Sequence, residues 1–238
     1  MRPYRNGSTI GLDNPPTSAS ASGVWLIRDV PDFAREGKWP GSALLSWDPA
    51  TAHANITLTN NNLDAEGTGT NQNVYTQAFD PTLPNLYMEF QWMEAPVANS
   101  GVGIKDDTTE DLEIGNWSGE KAGIGRRGGG GGSRMNWYMN IEGQSESAQA
   151  DSFASSPPIN TRHGIYIDSG DVWVHEDGTW MDVTLQTDPD NSLNPRNSTS
   201  ITGTTWYFGC NPESARLRLI PSPADWLHAP AGAVAIRV

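Results

Sequence analysis

An unbroken alternation of side-chain types, LYMEFQWM at 86–93, leaves one reading: an extended strand with one face in a core. Side chains point to opposite faces at successive strand positions. Leu86, Met88, Phe90 and Trp92 therefore share one face, and Tyr87, Glu89 and Gln91 share the other. Shorter runs of the same kind recur along the chain: NITLT (55–59), VYTQAF (74–79), GVGI (101–104), AGIGRR (122–127), RMNWYMNI (134–141), GIYIDS (164–169), DVWVHE (171–176), WYFGC (206–210) and ARLRLI (215–220). Gly, Pro, Asn and Asp fill the intervals. Long helical periodicities are nearly absent. Short alternating runs punctuated by turn residues predict an all-β, antiparallel sandwich or barrel, here of about ten strands of ~5–6 residues. GIYIDS and DVWVHE read as a tight hairpin across Ser169-Gly170. WYFGC and ARLRLI are expected to close the sheet around an Asn211-Pro212 turn. The tail ADWLHAPAGAVAIRV (224–238) reads as a last strand or a docking arm. No internal repeat is evident.

Residues 1–40 differ in kind. Residues 1 to about 22 are rich in Ser, Thr, Pro, Gly and Asn, and bury too little apolar surface to fold alone, so they read as an extended arm. In GVWLIRDVPDFAREGKWP (23–40), Ile27, Val30 and Phe33 fall at helical spacing. Pro31 suits a first turn and Gly37 an end. This predicts one short helix, bracketed by Trp25 and Trp39, that needs packing partners to persist. The expected organisation is a docking segment over 1–40 and a sandwich over 41–238.

The 238 residues carry 15 Lys+Arg against 28 Asp+Glu, a net charge of -13. That balance repels phosphate backbones and argues against a nucleic-acid partner. A single cysteine, Cys210, provides neither an internal disulfide nor a CxxC motif, and its strand context predicts a buried structural thiol. The N-terminal sequence has no apolar signal core, and no apolar run is long enough to span a bilayer. Synthesis in a cytoplasm without membrane insertion is the expectation.

Each motif that suggests chemistry has a plainer reading. Glycines 128 to 132, flanked by Arg126, Arg127 and Arg134, lack the GK[ST] continuation of a phosphate loop, and a hairpin loop fits them better. The acidic run at 106–113 offers carboxylates to calcium but lacks EF-hand spacing, and reads as a solvated loop. His53, His163, His175 and His228 form no HxxxH pair, so no zinc site is expected. His175, beside Glu176 and Asp177, reads as a hairpin residue. No GxSxG elbow is present. Two carboxylates acting on a glycoside are set by spatial and not sequential spacing, which keeps a glycan-degrading enzyme as the least favoured alternative. Of the tryptophans, Trp92, Trp137, Trp173 and Trp206 sit in strand runs and read as core. Trp117 and Trp180 sit in loop or hairpin-end positions, where exposed aromatics serve interfaces or stack on sugars.

Two resemblances emerge from these residues. The small, polar arm followed by Ser22-Gly23-Val24-Trp25, a short amphipathic turn and the Gly37-to-Pro40 ending (GKWP) resembles a segment of predicted bacteriophage tail and virion proteins. It implies docking through Val24, Trp25, Leu26, Ile27, Val30, Phe33, Trp39 and Pro40. YMEFQW, GVGI, the Gly-rich loop before RMNWYMNI, GIYID, DVWVHEDGTWM and the later TWYFGC and ARLRL resemble the SPRY (B30.2-like), concanavalin-like sandwich family, with Asp177-Gly178 where that family usually carries Asn-Gly. This second resemblance implies a bent sandwich of two antiparallel sheets that recognises protein or glycan through edge loops, without catalysis, metal or cofactor. The candidate binding residues are Trp117, Arg126, Arg127, Tyr138 and Trp180. Together the two resemblances imply a virion structural protein of a tail fibre or tail tip. Its expected partners are other virion proteins and a host-surface glycan or protein. It would assemble with its own copies, as a trimer by analogy with fibres. A capsid or tail cement protein that binds only virion proteins is the alternative.

Overall fold

A computed structural model describes residues 43–69, 72–95, 100–106, 108, 123–128, 135–141, 144–147, 159–180, 201–203 and 205–237. The expected arm and short helix, with all eight docking residues from Val24 to Pro40, lie outside them. So do Trp117 and all of the acidic loop except Asp106 and Thr108.

The described residues form strands β1 (Ile56–Thr59), β2 (Asp64–Gly67), β3 (Val74–Tyr75), β4 (Leu86–Trp92), β5 (Gly101–Lys105), β6 (Gly123–Gly128) and β7 (Met135–Ile141). They continue with β8 (Gln144–Ser147), β9 (Arg162–Asp168), β10 (Asp171–Glu176), β11 (Thr179–Trp180), β12 (Tyr207–Asn211), β13 (Arg216–Ile220) and β14 (Val234–Ala235). A 3-10 turn, Pro223–Asp225, precedes β14. The larger sheet runs β1-β2-β13-β4-β9-β10-β11, and the smaller runs β3-β12-β5-β6-β7-β8. All pairings are antiparallel except β14 on β4. The expected antiparallel sandwich is therefore the observed architecture. Among the described residues, no helix is long and apolar enough to cross a membrane.

Turn chemistry sets the hairpins. Ser169 and Gly170 both have positive φ, as a two-residue turn matched to strand twist requires, and Asp168 pairs with Asp171 across it. Asp177-Gly178 repeats the device between β10 and β11. Asn60, Asn61 and Asn62 turn β1 into β2 with three consecutive left-handed residues, a conformation Asn tolerates better than most side chains.

The inward row of β4 (Leu86, Met88, Phe90, Trp92) meets Val102, Ile104, Phe208 and Cys210 of the smaller sheet in one continuous core. Phe90 and Phe208 meet edge to face at 5.8 Å, and Trp47 packs on Phe208 at 6.2 Å. Trp92 and Trp206 are core residues, and Cys210 is fully buried, as expected. Trp173 is also buried, but in a separate cluster with Tyr87 and Tyr166.

Three expectations need correction. The described residues hold fourteen strands and not about ten, because DAEG, QSES, Thr179–Trp180 and Val234–Ala235 also pair, although neither DAEG nor QSES alternates in hydrophobicity. WYFGC and ARLRLI do not close a single sheet. β12 belongs to the smaller sheet and β13 to the larger, so the turn at 212–215 carries the chain between layers. Pro212 cannot donate to a ladder, and Glu213 has a φ of 48°, which together end one strand and redirect the next. In VYTQAF only Val74 and Tyr75 form a strand; Thr76 and Phe79 make isolated bridges to Trp47 and Trp206.

Candidate functional site

The alternation of β4 that buries Leu86 and Met88 turns Tyr87 and Glu89 to the opposite side of the larger sheet. Solvent does not reach them there, since both are fully buried. Register explains what gathers around them. β9 lies between β4 and β10, so Glu89, Gly164 and His175 form one row across three strands. Gly164 contributes no Cβ to that row. The side chains on either side close over it, and a Cβ at 164 would stand 2.7 Å from the Tyr87 hydroxyl and clash with the His175 ring.

The hydrogen bonds fix the protonation pattern. The Tyr87 hydroxyl donates to Glu89 Oε1 at 2.7 Å, and it also lies 2.7 Å from His175 Nε2. A phenol has one proton. With that proton on the Glu89 bond, His175 Nε2 carries a hydrogen and donates it to the Tyr87 oxygen. His175 Nδ1 is then an acceptor, and the Gly178 backbone N–H donates to it at 3.3 Å. The result is a directed chain, Gly178 to His175 to Tyr87 to Glu89, with His175 neutral.

The Glu89 carboxylate is also the anchor for the C-terminal segment. Leu227 N–H donates to Oε1 at 3.0 Å and to Oε2 at 3.2 Å, and His228 N–H donates to Oε1 at 2.8 Å. Two consecutive amides make a small anion-binding concavity, here filled by a side chain of the same molecule. Arg162 Nη1 adds a cation 3.5 Å from Oε2. Trp226 packs edge-on against Tyr87 at 4.8 Å, and its indole N–H donates to the Ile220 carbonyl at 2.7 Å. β14 then runs beside Leu86 and Tyr87 on the β4 edge that β13 has left. Residues 226–228 thus form a strap over the outer face of the larger sheet, and beyond β14 Ile236 joins the core between the sheets.

Burial sets the ionisation of the cluster. It raises the Tyr87 phenol well above its ordinary range, and the Glu89 charge and hydrogen bond add to that. Burial, assisted by neighbouring His228, pushes His175 down to about 3. On the inner side of the same strands, His163 Nδ1 lies 3.6 Å from Glu176 Oε2, and Phe90 stacks on His163 at 5.2 Å. Among the described residues, no group of three or more His, Cys, Asp or Glu is disposed to hold a metal ion.

The residues singled out from sequence divide between the sheets. Arg126 and Arg127 lie on β6 and Tyr138 on neighbouring β7, with Arg126 opposite Trp137 and Gly125 opposite Tyr138. Trp180 ends β11 in the other sheet. It is half-buried, with its edge against His175 at 4.6 Å, and it packs with Trp173 and Tyr166. Sequence reasoning missed the Tyr87–Glu89–His175 cluster and treated His175 as a hairpin residue. The available signal was Gly164, a glycine inside the strand RHGIYID, which marks close approach of neighbouring groups.

No protein-family model matches the chain, and no curated protein sequence matches it. Solved structures do resemble it. The PSpry domain of TRIM65 superimposes with a TM-score of 0.48 and 13% identity, over 74% of this chain and 92% of that one. The NEUZ (NHR) domain of Neuralized from Drosophila melanogaster gives 0.45 and 10%, over 79% and 97%. The carbohydrate-binding module CBM66 from Bacillus subtilis gives 0.38 and 7%, over 74% and 92%. These likenesses are to β-rich domains and carry no statement about what this chain binds.

Proposed function

We propose that the chain is a bacteriophage virion component in which residues 1–40 dock onto the particle and the sandwich is displayed for host-surface attachment, without catalysis. The observation behind the non-catalytic part is the fate of the Tyr87–Glu89–His175 cluster. It is a group of coupled titratable side chains on the outer face of the larger sheet. All three members are fully buried, and their polar atoms are spent on one another and on the strap. A general acid or base has to reach the group it protonates or deprotonates, and these face folded protein. The cluster is a structural clasp in this reading. Support for the particle role comes from the resemblance of residues 22–40 to virion segments.

Recognition would then fall to the smaller sheet and the loops. Arg126, Arg127 and Tyr138 lie on adjacent strands there, and Trp117 falls between β5 and β6 in the sequence. Arginine and aromatic side chains are the types enriched in protein and glycan contacts. A rigid sandwich positions such groups well, and repeated display on a particle multiplies weak single-site binding. The test is binding of multivalently displayed chain to a glycan array and to host cells, compared with an Arg126→Ala/Arg127→Ala double variant. Host-surface binding that falls at least tenfold in the variant supports attachment. Binding only to other virion proteins supports the cement role instead, and release of cleaved glycan overturns the non-catalytic reading.

A further inference from the structure

Among the described residues the larger sheet ends in β1 and β11, and the smaller in β3 and β8. β3 and β11 are two residues each, and β8 carries Glu146. β1 differs from all three: it runs for four residues, Ile-Thr-Leu-Thr, without a charge or a proline. Residues 49–63 contain no Asp, Glu, Lys or Arg, in a chain of net charge -13. Sheet edges are ordinarily guarded by such residues, because their outward N–H and C=O groups template further pairing.

Register shows which backbone groups β1 turns outward. Gly67 N–H donates to the Ala215 carbonyl at 3.3 Å, and Leu219 N–H donates to the Leu63 carbonyl at 2.8 Å. Leu63 and Gly67 therefore turn to β13, and Asp64 and Glu66, which alternate with them, turn to β1. Their partners there are Thr59 and Thr57. Leu58 lies between those two, so its N–H and C=O point away from β2, as do the Ile56 C=O and the Asn60 N–H. Ile56 N–H is spent on the His53 carbonyl at 2.9 Å, and the Asn60 carbonyl accepts from Leu63 N–H at 3.1 Å. Thr57, Thr59 and Asn60 are exposed, and Leu58 is half-buried against the core.

We propose that β1 pairs with β1 of a second copy of the chain, antiparallel about a two-fold axis at Leu58, so that two larger sheets join edge to edge. The pattern of donors and acceptors selects this occupant. On the axis the two Leu58 residues exchange both N–H···O=C bonds. Opposite Ile56 stands Asn60 of the second copy, whose N–H meets the Ile56 carbonyl. The groups that would complete that pair are Ile56 N–H and the Asn60 carbonyl, and both are already spent within their own chains. An ordinary extended peptide brings a donor and an acceptor to each of these positions and leaves one of them without a bond. Thr57 falls opposite Thr59 of the second copy in a closely spaced pair, a favourable cross-strand contact. Charge does not oppose the pairing. Glu66 and Asp64, which border Thr57 and Thr59 on β2, would stand three strand spacings apart across the axis, about 14 Å, beyond the screening length of about 8 Å in physiological salt. A two-fold contact closes at two copies, where the analogy with fibres gave three. It does not depend on the attachment role.

Sedimentation of the full chain over a concentration series in ~0.15 M salt tests this. The mass should rise with concentration from one chain toward two. Thr57→Lys/Thr59→Lys sets lysines against lysines across the axis without touching the core, and should weaken association at least tenfold. The register has its own readout. A Thr57→Cys chain mixed with a Thr59→Cys chain in oxidised glutathione should form a covalent pair, while neither does so alone; Cys210 is buried and does not compete. The proposal is overturned if the wild-type chain stays monomeric throughout the series, if its mass rises toward three, if the lysine variant associates like the wild type, or if the cysteine variants link no better mixed than apart. Should the lysine variant fail to fold, the wild-type series and the cysteine pair decide.

Discussion

Replacing Gly164 by alanine should weaken the protein more than a single methyl group suggests. Gly164 lies between Glu89 and His175 in the row that crosses β4, β9 and β10. A Cβ there would approach the Tyr87 hydroxyl to 2.7 Å and His175 Cδ2 to 2.6 Å, where ordinary contact begins near 3.4 Å. Neither neighbour has room to retreat. Tyr87 is backed by Trp226 at 4.8 Å and His175 by Trp180 at 4.6 Å, and both are fully buried. Overpacking of this kind costs ~1–3 kcal/mol. Separating Tyr87 from His175 strands buried polar atoms, at ~1–3 kcal/mol more. Alanine recovers ~0.5–1 kcal/mol over glycine through backbone entropy. The net loss is about 3 kcal/mol. In urea unfolding followed by tryptophan fluorescence, a slope of ~3 kcal/mol/M puts the midpoint lower by about 1 M with the slope unchanged. An unchanged or raised midpoint would show that the glycine is not what lets the cluster close, and would refute the packing argument.

Asp64→Asn should cost about 1–2 kcal/mol, because it breaks a two-point pairing with Arg218 at 2.6 and 2.7 Å, discounted because the Arg218 side chain is 36% exposed; thermal unfolding measures it, and an unchanged melting temperature contradicts it. Cys210 is fully buried with its thiol pushed up by burial, so a thiol reagent should label it only at the rate of unfolding; prompt labelling of the native chain would contradict its place in the core. Overall stability should also fall with acid through His175. Its folded value of about 3 lies below the ordinary 6.5, so its contribution is complete above pH ~6.5 and drops by about 2 kcal/mol between pH 7 and pH 5. Urea midpoints of wild type and His175→Gln across that range should converge as pH falls; parallel curves would assign the acid sensitivity elsewhere.

The sequence predicted the sandwich because period-two alternation is written locally. LYMEFQWM, GIYIDS and DVWVHE each carry their own face pattern, and Ser169-Gly170 carries its own turn chemistry. DAEG and QSES carry no such pattern; each pairs with the strand just before it, β1 and β7, and DAEG also with the distant β13. The cluster was half legible. Tyr87 and Glu89 fall on one face by counting alone, but their partner His175 depends on the register of two further strands, and the Leu227 and His228 amides depend on a tail that sequence left as either strand or arm. Trp180 illustrates the same limit. Its hairpin-end position suggested exposure, while its burial comes from His175 beneath it and from its packing with Trp173 and Tyr166.

Cryo-electron microscopy of the intact particle bears most directly on the attachment role. The expected map shows residues 1–40 seated on a tail or capsid neighbour and the sandwich facing solvent, with Trp117, Arg126, Arg127 and Tyr138 uncovered. A sandwich wedged between subunits with those residues covered, or a particle that lacks the chain, would contradict it.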